Sequence, residues 1–222
     1  MLNSVIRTIS IRANRSICFP NKLFNQNSLR YLTKLNPTTS TMGKDSWIVW
    51  MDLEMSGLDV SRDKILELSC IITDKDLNIV AEGPNIEVYQ PDEVLENMND
   101  WCMKHHAETK LIEKCKKSNI TEDMAQDMIV KFLESNIPKG KCPLAGNSVY
   151  MDRLFINRYM PKIDNYLHYR IIDVSTVKEL CRRWNPSVAA GAPKKKLVHR
   201  SEDDIRESII EMKYYKKFLF KV

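Results

Sequence analysis

The chain has 222 residues, with 34 lysines and arginines against 29 aspartates and glutamates, for a net charge of +5. Its 43% hydrophobic and 28% charged residues exclude global disorder. No uncharged apolar run approaches the roughly 18 residues needed to span a bilayer, so we expect no membrane insertion. The six cysteines lie far apart, without a C-x-x-C pair, which indicates buried free thiols rather than a zinc site or a disulfide framework.

The positive charge is concentrated in the first 44 residues, which hold seven basic side chains and no acidic one. Subtracting seven from 34 leaves 27 basic against 29 acidic residues over 45–222, a net charge of −2. A basic, acid-free segment that is rich in serine and threonine and lacks a long apolar run is typical of a mitochondrial presequence. The alternative is a basic tail on a cytosolic or nuclear protein. An internal start at Met42 would produce a form without the presequence.

We therefore assign residues 1–44 to a targeting presequence and residues 45–222 to one folded domain. The domain opens with three predicted strands, over residues 47–54, 65–73 and 78–88. The short connections between these sequential strands indicate an antiparallel meander.

The hydrophobic period then becomes helical. Val94, Met98 and Trp101 fall on one helix face, which on spacing alone favours a core position for Trp101. A second apolar stripe follows Thr121, and Pro138 ends that helix. The remaining pattern predicts a strand at Pro143–Gly146, a helix from about Tyr150, a strand at 170–174, a helix to Trp184, a loop at 185–193 and a last helix over Ser201–Phe218. This order predicts an α/β domain with a mixed five-stranded sheet flanked by helices.

Two carboxylates stand at the end of the first strand, in the sequence Asp52-Leu53-Glu54. Residues i and i+2 of a strand point to one face, so both acids emerge together. Like charges that close repel unless a cation lies between them, and a hard divalent ion with oxygen ligands is the natural partner. Alone the motif is weak evidence, since surface strands often alternate acidic residues.

Two further acids lie at predicted helix starts, where an ordinary structural role competes with metal binding. Asp152 would suit the dipole of its helix, with Ser148 as the N-cap. Asp204 lies three residues after Ser201, and this pair is typical of a capping box. Taken singly, each of these acids favours the structural role.

Five stretches, taken in order, carry a resemblance to a known family. They are Asp52-Leu53-Glu54-Met55-Ser56-Gly57-Leu58, Ile65-Leu66-Glu67, Gly146-Asn147-Ser148 with Asp152, Tyr169-Arg170 with Asp173-Val174-Ser175, and Asp203-Asp204-Ile205-Arg206-Glu207-Ser208-Ile209. Over residues 46–219 the chain resembles the DEDDh 3′→5′ exonucleases, and among them the oligoribonucleases. The resemblance implies a ribonuclease H-like exonuclease fold and the degradation of very short RNA, dinucleotides especially, to mononucleotides.

The resemblance also implies a metal centre. In similar enzymes four carboxylates, matched here by Asp52, Glu54, Asp152 and Asp204, hold two Mg²⁺ or Mn²⁺ ions. Their charge of about −4 would be cancelled by two divalent ions. Two ions about 3.5–4 Å apart can activate an attacking water and stabilise the leaving 3′-oxygen. His199 would be the general base, because an imidazole pKa of about 6.5 suits proton transfer near neutral pH.

Contacts to the bases are implied at two positions. Leu58 matches an apolar wedge against the 3′-terminal bases, and Trp101 matches an aromatic ring on which a base stacks. Such stacking contributes roughly 1–3 kcal/mol and tolerates any base.

A second group matches positions that hold the 5′-terminal phosphate. Ser148, Arg170 and Ser175 belong to it, with Tyr169 reaching in from the other subunit of a homodimer. Ser175 has a competing role as the N-cap of its helix, whereas the planar guanidinium of Arg170 suits a phosphate. A cap on the 5′ end would limit the length of the substrate.

The sequence departs from the family pattern next to the last helix. Ser201-Glu202 stands where relatives have a small and an apolar residue, and Glu202 adds negative charge near the predicted metal site. The three lysines of the loop over 188–196 could steer phosphate, although the solvated charge run is the favoured interpretation.

Two other functions remain open from the residues. One is a proofreading-type DNA exonuclease of the same fold, which would not need Ser148, Arg170 and Ser175. The other is a non-catalytic RNA-binding or scaffold protein on a degenerate exonuclease fold. Such a protein should have lost a carboxylate or the histidine, and none of them is missing from the sequence.

Overall fold

A computed structural model describes residues 43–194 and 200–220 of the protein. The predicted presequence, apart from its last two residues, lies outside this part of the chain, and so does His199. The described chain begins with a short 3₁₀ helix at Lys44–Ser46. Within the described residues, no helix is both long enough and apolar enough to cross a membrane.

The described residues contain a mixed sheet of five strands, in the order β3-β2-β1-β4-β5. β1 pairs antiparallel with β2 and β2 antiparallel with β3, whereas β1 pairs parallel with β4 and β4 parallel with β5. The predicted meander and mixed sheet are therefore confirmed. The strands are β1 (Ile48–Met55), β2 (Ile65–Thr73), β3 (Ile79–Glu87), β4 (Pro143–Gly146) and β5 (His168–Asp173).

Helices flank the sheet and connect its parallel strands. In the described residues they are α1 (Asp92–Glu96), α2 (Asp100–Glu108), α3 (Leu111–Lys117), α4 (Glu122–Asn136), α5 (Tyr150–Tyr159), α6 (Pro161–Tyr166), α7 (Val174–Trp184), α8 (Pro186–Ala190) and α9 (Ser201–Phe218). The predicted loop over 185–193 is wrong in part, because Asn185 accepts a hydrogen bond from the Val188 amide and caps the short helix α8.

The predicted single helix face of Val94, Met98 and Trp101 is also wrong. Asn99 is the N-cap of α2, and its side chain accepts a hydrogen bond from the Cys102 amide at 2.9 Å. This cap begins a new helix between Met98 and Trp101. Met98 stays buried, but Trp101 is displaced to the surface with 54% of its area exposed.

The core lies on both faces of the sheet, and β1 supplies alternate residues to each. Met51 packs with residues of α4 and α5, whereas Trp50 packs with Ile205 and Ile209 of α9. Side chains alternate along a strand, so Asp52 and Glu54 continue the face that Trp50 begins. The two acids therefore emerge on the side of the sheet that α9 covers.

The cysteines follow the expectation drawn from their spacing. The described ones, Cys70, Cys102, Cys115, Cys142 and Cys181, are all buried free thiols. Cys18 lies outside the described residues.

Candidate metal centre and nucleotide-binding residues

Three of the predicted carboxylates come together where α9 begins above the end of β1. One ligand oxygen from each of Asp52, Glu54 and Asp204 can be chosen so that all three lie within 4.8 Å of one another. Asp52 and Glu54 are placed by the sheet, and Asp204 by the first turn of α9. All three are partly buried. Carboxylate oxygens at this spacing suit a hard divalent cation.

The electrostatics of this cluster favour a cation. The pKa of Glu54 is raised from 4.5 to about 8, chiefly by burial and then by the negative charges of Asp204, Glu67 and Asp152, while Arg200 opposes the shift. Ionised Glu54 is thus unfavourable beside its neighbours unless positive charge is supplied. The donor set and its charge both fit a divalent metal ion.

Asp152 reaches the same end of β1 by a different route. It lies in the first turn of α5, is buried, and accepts a hydrogen bond from the Leu53 amide at 2.9 Å. Burial raises the pKa of Asp152, although the hydrogen bond from Leu53 opposes that shift. Asp152 is not one of the three clustered acids, but its carboxylate is tied to the backbone between Asp52 and Glu54.

The loop after β1 presents Leu58 to solvent, with 66% of its area exposed. The Asp63 carboxylate closes this loop by accepting a hydrogen bond from the Asp59 backbone amide at 2.8 Å. A side chain at position 57 would force Asp63 to move, because its Cβ atom would lie 2.1 Å from an Asp63 carboxylate oxygen. The loop therefore holds an apolar side chain at the surface directly after the strand that carries two of the acids.

Trp101 occupies an exposed position at the start of α2. Its ring stacks on His105, with ring centroids 4.0 Å apart. The core position favoured by spacing is wrong, because the ring lies at the surface of the protein. The same helix is held to β1 by His106, which is buried and whose Nε2 lies 2.9 Å from the Met55 carbonyl oxygen.

The structure brings Ser148 and Ser175 into direct contact, with their hydroxyl oxygens 3.1 Å apart. Asp173 holds both residues, because its carboxylate accepts hydrogen bonds from the backbone amides of Ser148, at 3.0 Å, and Ser175, at 2.8 Å. Ser148 has a φ of 52°, in the left-handed region, and Val149 is the N-cap of α5. Both predicted serine N-caps are therefore wrong.

Asp173 is a residue whose role the motif did not reveal. It is the N-cap of α7, where Ser175 was the expected cap. The signal was present, since an aspartate directly before a helical stretch is among the strongest N-cap residues. With the cap supplied by Asp173, the Ser175 hydroxyl turns to Ser148 and to the Asn147 side chain, to which it donates at 3.2 Å.

Tyr169 and Arg170 lie on β5, at the edge of the sheet. Tyr169 is 74% exposed and stacks on His168 with ring centroids 4.4 Å apart. The Arg170 guanidinium lies 5.2 Å from the centre of the Tyr169 ring. These two residues thus contact each other, while Ser148 and Ser175 form a separate contact.

The start of α9 differs from the sequence expectation. Arg200 is the N-cap and Ser201 is already helical, so the predicted capping box of Ser201 and Asp204 is wrong. Glu202 is paired instead with Arg206, which donates to it at 2.7 Å and also contacts Glu82. Its charge is therefore partly compensated on the helix surface. His199 and part of the lysine-containing loop lie outside the described residues.

The sequence is similar to a known family of exonucleases and to proteins named oligoribonuclease. The RNase T exonuclease family model matches residues 49–212. A protein of Drosophila melanogaster named probable oligoribonuclease is 58% identical over 183 residues, covering 82% of this chain and 87% of that one. Mitochondrial oligoribonuclease of Homo sapiens is 53% identical over 174 residues, covering 78% and 73%. Oligoribonuclease of Vibrio campbellii is 47% identical over 178 residues, covering 80% and 98%.

Solved structures confirm the ribonuclease H-like exonuclease fold. Exonuclease I of Methylocaldum szegediense superposes with a TM-score of 0.61 at 18% identity, covering 79% of this chain and 41% of that one. The zinc-bound complex of E. coli exonuclease I with single-stranded DNA gives 0.62 at 16% identity, covering 79% and 42%. The chain thus spans about two fifths of the length of these exonuclease I chains, and the likeness concerns the fold.

Proposed function

Because the chain belongs to the oligoribonuclease family of exonucleases and is a 3′→5′ exoribonuclease on that ground, we propose that it degrades very short oligoribonucleotides, dinucleotides especially, to mononucleotides. The observation that carries this proposal is the clustering of Asp52, Glu54 and Asp204 on one face of the sheet. The scaffold alternative is disfavoured, because each of these acids is present and converges with the others.

We propose that Asp52, Glu54, Asp152 and Asp204 hold two divalent ions, Mg²⁺ or Mn²⁺. When bound by these residues, such ions would supply Lewis-acid chemistry that activates water and stabilises negative charge on the leaving oxygen. The protein contributes carboxylates that are fixed before substrate arrives, since β1 and two helices place them. His199 would be the general base and would accept the proton of the attacking water.

We propose that exposed side chains at fixed positions bind the substrate. Leu58 and Trp101 would contact the bases at the 3′ end, because both are apolar, exposed and held by defined local structure. Ser148 and Ser175, together with Arg170, would bind the 5′-phosphate. Tyr169 would serve a second copy of the chain in a homodimer, and its exposure on the edge strand β5 supports this assignment.

The test is a length series of 5′-labelled RNAs, from dinucleotides to about twenty nucleotides, with Mg²⁺ or with EDTA. We expect the highest kcat/KM for dinucleotides and no turnover in EDTA. Equal turnover at every length would contradict the short-RNA proposal, and turnover in EDTA would contradict the metal centre. Deoxyribonucleotides of the same lengths test the DNA alternative. Light scattering after size exclusion gives the mass in solution and tests the homodimer.

We further propose that residues 1–44 direct the chain to mitochondria and that residues 45–222 are the exonuclease domain. The basic, acid-free composition and the mitochondrial relatives support this division. A fusion of residues 1–44 to a fluorescent reporter should enter the mitochondrial matrix, and a cytosolic reporter would contradict the proposal. A form that starts at Met42 should stay in the cytosol or nucleus, which the same imaging measures.

A further inference from the structure

Asp204 is the clustered acid that the sheet does not place. Asp52 and Glu54 share β1, but Asp204 comes from α9, about 150 residues later. Its backbone amide donates to the Arg200 carbonyl at 3.0 Å, so the position of Arg200 fixes the first turn that carries Asp204. The geometry of the cluster therefore depends on what holds Arg200.

Arg200 is held by a fully buried carboxylate on β2. Its Nε donates to both oxygens of Glu67, at 3.1 and 3.2 Å, and its Nη2 donates to one of them at 2.5 Å. Glu87 accepts a second bond from Nη2 at 3.2 Å. Glu67 is 0% exposed and stands directly opposite Glu54 in the register of β1 and β2. A planar guanidinium bonded to two carboxylates has little freedom to rotate.

A second layer of hydrogen bonds joins the same two parts of the structure. Asn85 donates to Glu67 at 3.0 Å, and its own carbonyl accepts from Ser69 at 2.7 Å and from Ser201 at 3.3 Å. The hydroxyls of Ser69 and Ser201 lie 2.7 Å apart, and both serines are buried. Ser201 thus meets β2 and β3 through its hydroxyl, at the position where the family pattern has a small residue.

We propose that Glu67 and Arg200 are positioning residues of the metal centre, whose ion pair, formed on the buried Glu67 carboxylate, fixes the start of α9, and with it Asp204, against the end of β1. The apolar contacts of Ile205 and Ile209 already attach α9 to the sheet. A buried ion pair adds little stability compared with apolar residues of the same size, but it restricts geometry. This inference rests on the proposed metal centre, and it concerns the outer groups that orient the ligands.

The test is Glu67→Gln, which keeps the shape of the side chain and removes the charge that holds Arg200. We expect Mn²⁺ affinity, measured by calorimetry, to fall about tenfold or more. The Mg²⁺ concentration for half-maximal activity should rise in parallel, while KM for a dinucleotide at saturating Mg²⁺ stays unchanged. The matched control is Glu82→Gln, which breaks an exposed ion pair with Arg206 on the same helix and should change Mn²⁺ affinity by less than about twofold.

Three outcomes would overturn the positioning role. One is a folded Glu67→Gln variant that binds Mn²⁺ like the wild type, and another is an equal loss in Glu82→Gln. If Glu67→Gln does not fold, Arg200→Lys keeps the positive charge but loses the planar guanidinium that contacts both oxygens of Glu67, and unchanged Mn²⁺ affinity in that variant would overturn the role as well. A wild-type protein that binds Mn²⁺ but does not cleave RNA would contradict the proposed substrate alone, because Mn²⁺ affinity decides the positioning role.

Discussion

Raising the pH in the absence of divalent ions should destabilise this protein. The pKa of Glu54 is raised from 4.5 to about 8, chiefly by burial, so the folded state holds a proton that the unfolded state releases. Stability is then fully present below pH 4.5, falls as pH rises, and reaches its lower limit above about pH 8. Burial raises the pKa of Asp152 in the same direction.

The size of the effect follows from the shift. At 1.36 kcal/mol for each pKa unit, a rise from 4.5 to about 8 corresponds to a loss of roughly 4 kcal/mol by pH 8. Domains of this size have about 5–15 kcal/mol of stability in total. The loss is therefore large enough to measure by equilibrium unfolding.

The assay is urea unfolding in EDTA at pH 5 and pH 8, for the wild type and for Glu54→Gln. The glutamine cannot ionise, so the variant should lose much less stability between the two pH values. Mg²⁺ should restore the wild type at pH 8, because it binds the ionised carboxylates of the folded state, and should affect the variant less. Equal pH dependence in the two proteins would refute the argument.

Three further changes test the proposed roles. Asp204→Asn should abolish RNA turnover while the thermal midpoint does not fall, and residual turnover near the wild-type rate would contradict its role as a ligand. Trp101→Ala should raise KM roughly tenfold by removing a ring on which a base stacks. The thermal midpoint should hardly move, because the ring is half exposed. An unchanged KM in steady-state assays would argue against stacking. Arg170→Lys should lower the preference for 5′-phosphorylated over 5′-hydroxyl dinucleotides, and an unchanged ratio of their kcat/KM values would remove Arg170 from the phosphate site.

The sheet and the last helix could be predicted from sequence because their signals are local. The strand Pro143–Gly146 and the helix Ser201–Phe218 have the predicted bounds. The D-x-E pattern required only strand alternation to place Asp52 and Glu54 on one face. Trp101 was harder, because its spacing from Met98 fits a continuous helix and only the Asn99 cap interrupts it.

The N-caps predicted near the candidate site were wrong because other polar groups form the hydrogen bonds to these serines. Serine is a common N-cap residue, but Ser148 is held by Asp173, and Ser201 is held by Ser69 and Asn85. Those partners lie far away in the sequence, so helix-start rules could not identify them. The charge of Glu202 was different, because its partner Arg206 lies only one helical turn later, and this pairing compensates the charge that was expected to disturb the metal site.

The long sequence separation between Asp52 and Asp204 affects how the protein is made. Asp52 leaves the ribosome early, but α9 follows much later and must dock beside β1, which was made about 150 residues before. Contacts of such long sequence separation form late in folding. A nascent or truncated chain without α9 therefore carries an incomplete cluster of acids, and we expect the nuclease to stay inactive until α9 has docked.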